Sequence, residues 1–250
     1  MSLMENVFHI EGWEWEKLEI GLRSIWTVKD PSTKRWIVKY TGSFYSYREW
    51  VFSRLASHLG LNARKVILAH ISKLDLKQTG HENYDPFQLL LEYVTIHSDT
   101  PCNSNCPFPV WQRYLHEEND ICEKLGFISI DNAVDYILKD FMADIFGANE
   151  PSEYLFGADH RFYIIDNEQM FSTEGSGEIS APWLFAKNNA YSECGRNLLF
   201  GLCRKIISLT DDNLREIARC PDNYKVNKKW PILPILRKGK RIAYSILTYG

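Results

Sequence analysis

Strand-type patterning in this chain stops near residues 95–105, and helical patterning takes over from there. That one change constrains the fold more than any motif. Runs of strands followed by runs of helices predict an α+β protein in two lobes, not an alternating α/β sheet. Ser24-Ile25-Trp26-Thr27-Val28-Lys29 and Arg35-Trp36-Ile37-Val38-Lys39-Tyr40 are β-branched and aromatic, as strands require. Between them, Asp30-Pro31-Ser32-Thr33 reads as a hairpin turn, because Pro31 presets φ and the Asp30 carboxylate can bond back to the chain. A helix is predicted over 46–60, where Val51, Leu55 and Leu59 recur four apart. Ser46 and Glu49 match a capping box at its start, and Gly60 is a C-terminal stop. Val66–Ile71 and Phe87–Val94 read as further strands, separated by a polar, turn-rich segment over 72–86.

Beyond the change of texture, 97–109 reads as a loop. Val134, Ile137, Leu138, Phe141 and Met142 then space at three and four, with Asp131 or Asn132 able to cap the helix. A short apolar strand is predicted over 162–165, and 183–247 is mostly helical. Thr210-Asp211-Asp212-Asn213 marks one helix start. The expected organisation is a β-rich N-terminal lobe, residues 1–96, carrying one helix, and a mainly helical C-terminal lobe, residues 97–250.

Composition narrows the function classes. The chain has 250 residues, 29 Lys plus Arg and 32 Asp plus Glu, a formal charge of −3. Bulk binding to nucleic acid or an anionic membrane needs a basic surface, so neither partner is expected. No stretch approaches the ~20 apolar residues of a spanning helix. The first fifteen residues lack a signal-peptide pattern and six cysteines are too dilute for a disulfide scaffold, so a reducing, cytoplasmic compartment is expected. Five of the eight Trp (13, 15, 26, 36 and 50) fall in the first fifty residues. A base-stacking surface would need basic residues interleaved with them; they are read instead as the packing of a small lobe.

Four segments concentrate candidate chemistry. Lys39 ends an apolar strand, Glu49 lies on the next helix, and Leu89-Leu90-Leu91-Glu92-Tyr93-Val94 runs into the lobe boundary. Tyr163-Ile164-Ile165-Asp166-Asn167-Glu168 is an apolar strand ending in acids, a placement suited to holding a hard cation. Each has a plainer explanation: Lys39 as a snorkelling strand end, Glu49 as the second half of the capping box, Asp166 as an Asx-turn. No Gly-x-Ser-x-Gly elbow, His-Glu-x-x-His or P-loop is present.

Taken in order, these segments resemble the protein-kinase-like superfamily. Glu49-Trp50-Val51-Phe52-Ser53-Arg54-Leu55-Ala56-Ser57-His58-Leu59-Gly60-Leu61 is similar to the Glu-bearing helix of HipA-like kinases. Asp144-Ile145-Phe146-Gly147-Ala148-Asn149 followed by Ile164-Ile165-Asp166-Asn167-Glu168 is similar to the catalytic and metal segments of HipA-like and bacterial phosphoinositide-kinase-like proteins. The resemblance runs over roughly 20–170 and implies a two-lobed kinase-like fold using ATP and Mg²⁺. It implies Lys39 on the α/β-phosphates, oriented by Glu49. Adenine would meet Glu92, Tyr93 and Val94, and Asp166 with Glu153 would bind the metal. The acceptor would be a hydroxyl on a protein or small molecule.

Two departures qualify it. The family's Gly-Asn-x-Asp-Arg-x-x-x-Asn corresponds here to Gly147-Ala148-Asn149-Glu150-Pro151-Ser152-Glu153, which leaves the catalytic position open among Asp144, Asn149 and Glu150. A glycine-rich phosphate loop is not visible upstream of Lys39, where Gly21 is the one glycine after Trp13. These departures keep a second class open, a kinase-fold interaction protein without phosphoryl transfer. A third is an α+β binding domain with a zinc-stapled loop formed by Cys102, Cys106 and His97, with Cys122 and His116 as candidates for the fourth ligand. Cys194, Cys203 and Cys220 read as packed thiols. The basic run from Arg237 to Arg241 reads as a solvated face.

Overall fold

The computed structural model describes residues 7–20, 23–94, 138, 141–142, 144–147, 153–156, 162–165, 170–171, 193–221, 224 and 232–249. A six-stranded sheet is built from β1 (Phe8–His9), β2 (Glu14–Ile20), β3 (Arg23–Lys29), β4 (Arg35–Lys39), β5 (Val66–His70) and β6 (Phe87–Glu92). Its order is β1-β5-β6-β4-β3-β2, antiparallel throughout except where β1 pairs with β5. Helix α1 (Ser43–Leu59) follows β4, and the short α2 (Lys73–Gln78) lies between β5 and β6. A two-stranded ribbon, β7 (Glu153–Phe156) and β8 (Phe162–Ile165), precedes α3 (Glu193–Ser208), α4 (Asp211–Ile217) and α5 (Ile232–Tyr249).

The predicted β3–β4 hairpin forms with the expected chemistry. Asp30 Oδ1 accepts from the Ser32 and Lys34 amides, each at 2.9 Å, and Oδ2 accepts from Trp36 Nε1 at 3.0 Å. Burial pushes the Asp30 carboxyl up, but these bonds together outweigh it and hold the group below its ordinary value. Thr33 takes φ 69°, the left-handed position that closes a type I turn into a bulged hairpin.

Helix α1 begins three residues earlier than the sequence predicts. Its N-cap is Gly42, with no side-chain cap, and Ser46 donates its backbone N–H to the Gly42 carbonyl at 3.0 Å inside the first turn. The Ser46–Glu49 capping box is therefore absent, and Glu49 is not explained by capping. The C-terminal reading holds: Gly60 adopts φ 70°, and its N–H bonds back to the last turn. The segment read as polar and turn-rich adds α2, capped by Ser72, whose hydroxyl accepts from the Asp75 amide.

The pleat sends alternate residues of the sheet into two cores. Trp36, Val38, Ile67, Ala69 and Leu90 join Ile10, Val28 and Leu76 of α2 on the outer face, flanked by Trp13, Trp15, Trp26 and Tyr40. The aromatic excess is thus packing. Val66, Leu68, Leu89 and Leu91 face α1 on the inner side. There the core continues through α1 to α3, α4 and α5. Residues 46–56 of α1 are all buried. A helix covered all round is one enclosed on both sides, and α1 lies between the sheet and the C-terminal helices. Lys205 of α3 caps it from outside, donating Nζ–H to the Leu59 carbonyl at 2.9 Å.

Candidate nucleotide site

Lys39 is the last residue of β4, in register with Leu89 of β6. Strand alternation puts it on the inner face with Ile37, toward α1. The residue after it, Tyr40, points the other way, donates its hydroxyl to Thr79 Oγ1 at 2.9 Å and stacks on His81 at 3.5 Å. Burial pushes the Tyr40 phenol up to about 12, so it stays a neutral donor that fixes the strand end. Lys39 Nζ then reaches Glu49 Oε2 at 2.9 Å. The Glu49 side chain is 1% exposed and that of Lys39 20%, so the carboxylate is enclosed and the lysine side chain is partly exposed. A buried carboxylate holds a cation in place strongly, because water screens the pair poorly. This geometry can fix an ammonium at the end of an interior strand, where an anionic ligand could meet it.

The residue before Glu49 does a second job. Arg48 is buried, lies over the Phe44 ring at 5.2 Å, and donates Nε–H to the Met170 carbonyl. The next residue, Phe171, is buried against Phe146 and holds φ 62°, a left-handed backbone that costs a non-glycine residue about 1–2 kcal/mol. Two successive buried charges on α1 thus hold β4 on one side and the segment four residues past Asp166 on the other. Sequence reasoning missed Arg48. Its signal was a charge inside an otherwise apolar helical run, which needs a buried partner.

The β7–β8 ribbon pairs Glu153 with Ile165, the residue directly before Asp166 in the chain. That register places the Glu153 backbone beside the last described residue of β8. Asp166, Glu150 and Asn149 lie outside the described residues, as do Cys102, Cys106, His97, His116 and Cys122 of the zinc reading. Among the described residues no three His, Cys, Asp or Glu side chains cluster in a way that would hold a metal ion. Cys203 is fully buried, and burial pushes its thiol up to about 12, as expected of a packed cysteine. Asp144 lies on helical residues packed against α5, where it lines a small crevice with Ile235, Lys238 and Ile242.

Glu92 ends β6 and bonds Lys34 Nζ at 2.5 Å. The Glu92 amide donates to the Lys65 carbonyl at 2.9 Å, and the Tyr93 amide to the Arg35 carbonyl at 3.2 Å. Of the three residues, Val94 is the first whose amide these bonds leave unused. On the opposite edge, Ile20 pairs with Arg23, so two residues connect β2 to β3. No helix among the described residues is long and apolar enough to cross a membrane.

No family model matches the sequence, and no curated protein matches it. Among solved structures, the chain is similar to the crystal structure of the Helicobacter pylori proinflammatory kinase CtkA. The identity is 10% and the TM-score 0.55, covering 97% of this chain and 98% of that one. Two structures of the Golgi casein kinase, one with Mn/ADP bound, align at TM-scores of 0.45 and 0.46 with 11% and 13% identity, over 94% of this chain and 72% of theirs. With the β-rich sheet, the central α1 and the C-terminal helices on the page, the CtkA likeness over nearly the whole of both chains makes this an α+β protein-kinase-like fold.

Proposed function

We propose that this chain is an ATP- and Mg²⁺-dependent phosphotransferase of the HipA-like or bacterial phosphoinositide-kinase-like branch. In this reading it has lobes over 1–96 and 97–250 and holds the nucleotide between them. The observation that carries the reading is the Lys39–Glu49 pair, 2.9 Å apart with the carboxylate enclosed. That pair fits a phosphate: Lys39 would neutralise α/β-phosphate charge and Glu49 would hold it in line. Adenine would lie against Glu92, Tyr93 and Val94, with the Val94 amide as the available donor. Asp166 and Glu153 would hold Mg²⁺, a pairing supported by Glu153 lying in register with Ile165, the residue before Asp166 in the sequence. Glu150 or Asp144 would orient the acceptor hydroxyl, on a protein or a small molecule. The bound nucleotide supplies the transferable γ-phosphoryl group. Because this chemistry asks mainly for positioning and charge neutralisation, a displaced base is compatible with it. The cytoplasmic assignment rests on cysteine usage.

A second reading, a kinase-fold interaction protein without phosphoryl transfer, is favoured by one specific observation. The two-residue connection between Ile20 and Arg23 is too short for a glycine-rich flap over phosphates.

Calorimetric titration with ATP and Mg²⁺ tests the proposal. Wild type should bind, and Asp166→Ala and Lys39→Met should each weaken binding by about tenfold or more, the loss expected of a charged contact. Equal affinities in all three proteins would remove both assignments. Binding without transfer to any acceptor or to water would favour the second reading.

A further inference from the structure

A groove of about 760 Å³ opens between the end of α3, the start of α4 and one face of α5, on an element that contributes nothing to the Lys39–Glu49 pair. Its floor and ends are apolar: Ile207, Leu214, Pro234 and Tyr244, the last 63% exposed. Its α5 wall is basic, with Arg237, Lys240 and Arg241. The run from Arg237 to Arg241 is therefore not one solvated face. Lys238 turns to the Asp144 crevice, while the other three line the groove. Against these three cations the described lining holds one acid, Asp211, in a chain whose overall charge is −3.

The groove already binds one carboxylate. Arg237 Nε and an Nη donate to the two Asp211 oxygens at 2.7 and 2.8 Å, the fork-to-fork geometry by which guanidinium selects carboxylate. That bonding from Arg237 holds Asp211 below the ordinary carboxylate range. Lys240 is turned inward, donating to the Leu209 carbonyl. Arg241 lies one helical turn beyond Arg237, on the same wall and exposed, and among the described residues no acid pairs with its guanidinium. It offers a partner carboxylate the same recognition group that Arg237 offers Asp211.

The lining on α5 runs from Pro234 to Ser245. Eleven helical steps span about 16 Å, the reach of about five residues of extended chain.

We infer that this groove is a docking site for a short acidic, apolar segment of a partner protein, with one partner carboxylate on Arg241 and apolar side chains on Ile207, Pro234 and Tyr244. The site stands apart from the nucleotide cleft and is independent of whether phosphoryl transfer occurs.

Fluorescence anisotropy of the full chain with a labelled, end-capped peptide Glu-Leu-Glu-Phe-Glu-Leu tests the inference. A Lys-for-Glu version serves as the charge control. Saturable binding of the acidic peptide alone is expected. Arg241 is exposed and its replacement leaves the core intact, so Arg241→Glu should weaken binding by about tenfold or more without a change in circular dichroism. Asp211→Asn should tighten it by about threefold, because the resident carboxylate no longer competes for Arg237. Absence of saturable binding, or an Arg241→Glu affinity within about twofold of wild type, overturns the inference. So does sedimentation on phosphatidylcholine vesicles containing phosphatidylglycerol that depends on Arg241 while the peptide does not bind. That result would assign the groove to an anionic lipid surface.

Discussion

Glu49 carries a charge in a place where water cannot compensate it, and Lys39 is the cation the structure gives it. Removing one member of such a pair is far costlier than removing both, because the survivor stays buried and unpaired. The two members are not equivalent. Lys39 keeps an exposed side and can turn to water, whereas Glu49 cannot. Lys39→Met is therefore expected to cost about 3 kcal/mol of stability and Glu49→Gln about half that. Lys39→Met with Glu49→Gln should lose less than the sum by about 1 kcal/mol or more, measured by urea titration. Equal, small losses for the two single variants would mean that the pair is no buried ion pair. Lys39 and Glu49 were both legible from their segments and the family resemblance. The capping box that offered a plainer account of Glu49 was an error of three residues in the helix start, because Gly42 caps through its backbone and leaves no side-chain signal.

At the scale of elements, the β3–β4 hairpin is a local decision and was readable as one. Asp30 satisfies two amides and an indole through its own carboxylate, so the turn needs no help from the rest of the fold. It contains one misfit. Thr33 is β-branched yet sits at φ 69°, a conformation that suits glycine or asparagine. Thr33→Gly should stabilise the protein by about 0.5–1 kcal/mol, the relief of left-handed strain less the entropy glycine returns to the unfolded chain. An unchanged midpoint in a denaturant titration would contradict this. The capping box of α4 was equally local: Thr210 Oγ1 accepts from the Asn213 amide at 3.1 Å, and the Asn213 side chain returns the bond at 2.9 Å. Helix α1 was not local. Its Val51, Leu55 and Leu59 stripe predicted one buried face, whereas residues 46–56 are buried all round. Arg48, Glu49 and Arg54 are tolerated there because each has a partner from another element: Met170, Lys39 and Glu216.

Across the whole molecule, the C-terminal helices are brought together by a close crossing at Gly239. A Cβ built there would stand 2.2 Å from the Phe146 ring, so the backbone of α5 rests on the helical residues around Phe146. Gly→Ala inside a helix ordinarily gains about 1 kcal/mol. Here Gly239→Ala should lose about 1–3 kcal/mol, as overpacked cores do, and Phe146→Leu in the same chain should recover part of it. A stabilised Gly239→Ala protein in thermal melts would refute the crossing. The glycine also explains its neighbours. With the helix pressed close at 239, Lys238 goes to one side while Arg237, Lys240 and Arg241 go to the groove.

Periodicity, turn residues and composition determined the order of strands before helices, the hairpin, the helix and strand placements named above and the positions of Lys39 and Glu49, because each depends on bonds within a few residues. Only the tertiary structure decided that α1 is enclosed between sheet and helices, that Arg48 grips the Met170 carbonyl, and that one basic run divides between two surfaces. Those facts depend on which distant segments meet. A linear pattern records that a side chain is apolar or charged, but not which partner desolvates it.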